Sequence, residues 1–141
     1  MSGQVAEDVA IFDGANWVAK GGAEKIFSGQ TTKDVSTSND LVITGVGFKP
    51  SFVHLILNIS GTASASWGVT DINGSDYCVY WNNAVVANSF SASGRIGLLI
   101  TGVSDNTKVN LTAFGNDGFT LGWVPEGSPT GSASVLYTCY R

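Results

Sequence analysis

The strongest constraint on this chain is its punctuation: Gly, Asn and Asp interrupt it about every eight to twelve residues, and the short apolar runs between them show no helical period. Runs of that length suit strands and are too short for ordinary amphipathic helices. The pattern predicts an all-β chain with helices minor or absent.

Read in order, residues 5–12 form an opening strand, and Asp13-Gly14-Ala15-Asn16 supplies a turn because Asp-Gly adopts positive φ cheaply. Residues 17–20 return as the second arm of that hairpin. The Gly-, Ser- and Thr-rich stretch 21–39 reads as an irregular connection. Further strands are predicted at 41–46, 52–59, 65–69, 77–81, 85–90, 96–101, 108–114, 119–124 and 134–140. The expected organisation is an N-terminal hairpin and arm over 1–40, followed by a jelly-roll-like antiparallel β-sandwich over 41–141.

Within these strands Val109, Leu111 and Ala113 alternate with Lys108, Asn110 and Thr112, so one face should meet a core and the other water. Leu55-Ile56-Leu57 and Leu98-Leu99-Ile100 are continuous apolar runs instead. Such strands are expected to be covered on both faces, either inside the sandwich or beneath a neighbouring subunit, which makes Leu98, Leu99 and Ile100 candidate subunit contacts.

Charged residues are only 13% of the chain, against roughly 25% in an average globular protein. Ser, Thr, Asn and Gly take their place, and uncharged surfaces can be packed against a partner without burying ions. The net charge of −4 and scattered basic residues offer no patch for nucleic acid. No run of about twenty apolar residues suggests a membrane span. The opening Met1-Ser2-Gly3-Gln4-Val5 lacks the pattern of a signal peptide, so cytosolic synthesis is expected. In that setting Cys78 and Cys139 are expected to be buried free thiols rather than a disulfide.

Groups for catalysis are sparse. His54 is the only histidine, in Phe52-Val53-His54-Leu55-Ile56, and reads as a half-exposed or hydrogen-bonded structural residue. A His-based triad has no spare parts, and no Gly-x-Ser-x-Gly elbow occurs. Asp71-Ile72-Asn73-Gly74-Ser75-Asp76 looks like a calcium loop but has Asp76 and Asn82 where that loop needs Gly and Glu, so a hairpin turn at Asn73-Gly74 is expected. The sequence predicts no enzyme, no metal and no cofactor.

Aromatic residues are the remaining signal. Trp67, Tyr77, Tyr80 and Trp81 gather around one predicted hairpin, and such clusters serve glycan sites and protein interfaces. The plainer alternative makes Trp67 and Trp81 core or cross-strand packing residues.

Three segments, read together, resemble a β-domain of tailed-bacteriophage virions, found in tail-fibre tips and in capsid decoration or cement proteins. They are Thr44-Gly45-Val46-Gly47-Phe48-Lys49-Pro50-Ser51-Phe52-Val53, Gly118-Phe119-Thr120-Leu121-Gly122-Trp123 and Leu136-Tyr137-Thr138-Cys139-Tyr140-Arg141. The resemblance spans 41–141. It implies a homotrimeric, jelly-roll-like domain on a virion, assembled in host cytoplasm, and carries over no catalytic residue. A decoration protein would bind and stabilise the major capsid protein shell; a tail protein would present Trp67, Tyr77, Tyr80 and Trp81 to host glycan.

Overall fold

The computed structural model describes the backbone of residues 9–12, 17–20, 25–82 and 90–141, and side chains within 25–82 and 94–141. The predicted N-terminal hairpin is present as β1 (Val9–Phe12) and β2 (Trp17–Lys20), with Phe12 opposite Trp17. Its predicted turn at 13–16 lies outside the described residues, as do 5–8 and most of the predicted strand at 85–90.

The other strands form two antiparallel sheets that stack as a sandwich. The larger runs β3 (Ile26–Asp34), β12 (Ser132–Tyr140), β5 (Phe52–Ile59), β6 (Ala65–Asp71), β7 (Tyr77–Trp81), β8 (Phe90–Ser93). The smaller runs β4 (Leu41–Ile43), β11 (Gly118–Glu126), β10 (Asn106–Gly115), β9 (Gly97–Ile100). No helix occurs among the described residues. Each sheet contains a meander of consecutive strands, β5 to β8 and β9 to β11. That order establishes the sandwich without spelling out the two Greek keys of a jelly roll.

Inward residues of both sheets make one core, in which Trp123, Phe119, Leu55, Leu57, Leu99, Leu121, Val109 and Val135 are almost wholly buried. Each such aliphatic or aromatic side chain contributes about 1.5–3 kcal/mol of transfer free energy. The two-residue Asn116-Asp117 connection between β10 and β11 sets the register that turns Phe119, Leu121 and Trp123 inward, as expected from the sequence.

Asp117 has a second role. Its carboxylate accepts the Gly45 N–H at 3.0 Å and the Gly47 N–H at 2.6 Å, and its carbonyl accepts Val46 N–H at 3.2 Å. Gly45 and Gly47 adopt φ of 80° and 82°, so the loop can wrap the carboxylate only because these positions lack a Cβ.

Several expectations need correction. The stretch 21–39 is not a plain irregular arm: β3 occupies Ile26–Asp34 and pairs with β12 along its whole length, so the division at residue 40 cuts through the sandwich. A bulge at Thr112 shifts the β10–β11 register, which sends Ala113 outward and leaves Phe114 to pack on the core. Leu55 and Leu57 are buried but Ile56 between them is 43% exposed, so that run alternates after all. Leu98 and Leu99 are buried within the chain's own sandwich, and only Ile100 is part-exposed, which removes Leu98 and Leu99 as candidate subunit contacts.

Cys78 and Cys139 are both buried, and no disulfide joins them. Cys139 aligns with Val53 and then Thr70, whereas Cys78 aligns with Gly68, so two strands of the larger sheet lie between β12 and β7. At about 4.8 Å per strand that separation is far beyond disulfide reach. Burial pushes the Cys139 thiol up to about 11.

The sandwich is closed on one side by β9 lying against β6. Ser66 Oγ accepts the Leu98 N–H at 3.1 Å and donates to the Val79 carbonyl at 3.2 Å, while Ser64 Oγ accepts the Ile100 N–H at 2.9 Å. At Gly68 the approach is closest, for a Cβ there would sit 1.7 Å from the Ile96 carbonyl oxygen. Gly68→Ala should therefore destabilise the fold by about 3 kcal/mol or more, whereas Gly115→Ala, which meets only ordinary contacts, should change stability by about 1 kcal/mol or less. Urea unfolding of the two variants checks this, and equal midpoints would contradict the closure.

Candidate functional site

Strand alternation gives the larger sheet an inner and an outer face, and the outer one is unusual. Cross-strand register aligns Leu136, Ile56, Trp67 and Val79 in one row, and Thr138, His54, Val69 and Tyr77 in the next. Asn58, Ala65 and Trp81 form a third row, while Tyr140, Phe52 and Asp71 form a fourth. Trp67 is 51% exposed, Tyr77 57%, Trp81 41% and Leu136 43%. Across the outward positions of β3, β12, β5, β6 and β7 the only carboxylate, ammonium or guanidinium side chains are Asp34 and Asp71, each the last residue of its strand.

A groove of about 290 Å³ runs over this face between β6 and β7, lined by Trp67, Gly68, Val69, Tyr77, Cys78 and Val79. A smaller one of about 140 Å³ beside it is bordered by Ser28, His54, Ile56, Leu136 and Thr138 among others. Trp67 and His54 form the divide. The outer face of the smaller sheet differs, carrying a Lys108–Glu126 ion pair, Asn106, Asn110 and Thr120, with Val42 and Val124 as its exposed apolar residues.

The exposed aromatics follow from the sandwich closure. Ser66, Gly68 and Thr70 take the inner positions of β6, so Ala65, Trp67, Val69 and Asp71 must point out. The exposure of Trp67 and Trp81 excludes the core half of the plainer alternative, whereas its cross-strand half holds for Trp67, whose ring packs across to His54 of β5. Tyr80 is the exception among the predicted site residues. It pairs with the inward Ser66 and is part-buried, so it does not share the face with Trp67, Tyr77 and Trp81. Period-two alternation within 77–81 already carried that distinction. His54, Ile56, Val69, Val79 and Leu136 were missed because their membership depends on which strands are neighbours.

His54 is half-buried and its Nε2 accepts the Trp67 indole N–H, with the ring centroids 5.3 Å apart and 46° between planes. Such a bond requires neutral imidazole with its proton on Nδ1. Burial pushes the His54 pKa below its usual value.

The carboxylates are mostly committed to turns. Asp71 Oδ1 accepts the Asn73 and Ser75 N–H groups, both at 2.9 Å, which makes the 71–76 loop a self-capped turn at Asn73-Gly74 as expected. Asp34 Oδ1 accepts from Ser36, and Asp105 Oδ1 accepts the Ser128 N–H. Among the described residues no three His, Cys, Asp or Glu side chains converge to hold a metal ion. What the face can do is bury area against a flat, weakly charged partner.

The chain matches no protein-family model and no curated protein.

The depressed His54 pKa has a thermodynamic consequence. The unfolded chain binds the imidazole proton more readily than the folded one, so stability is full above the usual histidine value of about 6.5 and falls as pH drops through it. The urea midpoint should be lower at pH 5.5 than at pH 7.5, and His54→Gln should flatten the difference. Asp34, Asp71 and Glu126, held below the usual carboxylate range, lose their contribution only at more acid pH. A dependence that survives in His54→Gln would assign it to another group.

Proposed function

We propose that this protein is a non-catalytic assembly module of a phage virion, a capsid decoration protein that grips major capsid protein through the outer face of its larger sheet. The observation that carries the docking reading is the contiguous, almost uncharged surface of Leu136, Ile56, Trp67, Val69, Val79, Tyr77 and Trp81. Such a patch is costly to leave in water, and aromatic anchors on a charge-poor face are what protein interfaces are built from.

The virion setting is proposed from the sequence resemblance alone. Two of the segments that carry it form a single unit, since Asp117 immediately before Gly118-Phe119 holds the Gly45 and Gly47 loop that leads to Phe48 and Pro50. The third segment lies in β12, between β3 and β5. A homotrimer remains part of the proposal from the resemblance alone, now without Leu98 and Leu99 as its contact.

A protein partner is favoured over host glycan at this face by the lining of the groove between β6 and β7. Trp67 and Tyr77 offer stacking there, but no amide, carboxylate or guanidinium lines the groove to bind sugar hydroxyls. Trp67→Ser and Val79→Asp alter outward positions and should leave the fold intact while lowering occupancy on decoration-free capsids by about 10- to 30-fold, the effect of losing an interface anchor. Occupancy is read by sedimenting shells with bound protein. Unchanged occupancy with failed adsorption to host cells would replace the capsid reading with a tail-tip, receptor-binding one.

A further inference from the structure

We propose that His54 and Trp67 form a proton-operated latch on this docking face, which favours partner binding at neutral pH and release in mild acid. The inference rests on the docking reading above and adds its regulation.

The geometry supplies both halves of the device. Trp67 stands in the middle of the face, between the two grooves, and its indole N–H is donated to His54 Nε2. A protonated Nε2 is itself a donor, so protonation sets two N–H groups against each other and removes the bond that orients the indole. The same event places a positive charge inside an apolar surface, where a partner would have to bury it. One proton thus changes the shape and the charge of the docking surface together.

Among the described residues no carboxylate faces His54 to offset that charge. Toward β12 it meets Thr138, flanked by Leu136 and the Tyr140 phenol, and Ser28 of β3 lies beyond. Toward β6 it meets Val69, flanked by Trp67 and Asp71, with the Tyr77 phenol of β7 next in the row. Asp71 is the nearest charged residue in this register, and its carboxylate is held by Asn73 and Ser75 at the strand end. The desolvation that lowers the His54 pKa agrees with a site that prefers the neutral ring.

The test uses the full chain and two readouts. In an NMR titration the single histidine and the Trp67 indole N–H, assigned by its loss in Trp67→Phe, should move with one midpoint. On phenyl-derivatised agarose, the probe for the apolar face, the partition coefficient should fall by about threefold or more between pH 7.5 and 5.0, with far-UV dichroism unchanged. His54→Gln, which retains an acceptor, should abolish that step. An indole resonance indifferent to the His54 titration, or a pH step that persists in His54→Gln, overturns the latch alone. Undiminished retention of Trp67→Ser at pH 7.5 overturns the docking face, and the latch with it.

Discussion

The seam between β6 and β9 governs the rest of the molecule. Two β-sheets meet here through backbone, because Gly68 lets the Ile96 carbonyl approach where any side chain would collide. The Ser64 and Ser66 hydroxyls then accept N–H groups that β9, an edge strand of the smaller sheet, would otherwise leave unpaired. A small inner row of Ser66, Gly68 and Thr70 is the condition for this closeness. Its consequence appears on the opposite face, where the large residues of β6, Trp67 and Val69, have nowhere to go but outward.

Other free edges and turns are managed by polar side chains instead. On edge strand β3, Lys33 points inward, 8% exposed, with its ammonium over the Trp123 ring at 5.8 Å and bonded to Thr37 and Asn39. A buried cation near a strand edge discourages pairing with another chain, because adding a strand would seal it further from water. Asp34, Asp71, Asp105 and Asp117 each close a turn or loop. The low charge content therefore has a structural counterpart: many of the few carboxylates hold turns, and the outer face of the larger sheet is left with almost none.

Parts of this were legible in advance for physical reasons. The strands at 52–59 and 77–81 end where they were expected, since turn residues flank them and apolar or aromatic residues fill them. β3 was not legible because Ser28, Gln30 and Thr32 alternate with Gly29 and Thr31, leaving no apolar row to recognise. Gly29 is tolerated in that strand because the Tyr137 ring from β12 occupies the space its side chain would fill. That contact spans more than a hundred residues of sequence and has no local signature.

The same division applies to the candidate site. Local chemistry alone determined an all-β chain, the inward register of Phe119, Leu121 and Trp123, the self-capped turn at Asn73-Gly74, and an aromatic cluster near Trp67. Only tertiary structure decided that the side bearing Trp67, Tyr77 and Trp81 faces outward, that Ile56 and Leu136 join them, and that His54 meets Trp67. It also decided that Leu98 and Leu99 are core. The reason is that alternation fixes which residues of a strand share a side, whereas the side that faces water depends on what the neighbouring sheet covers.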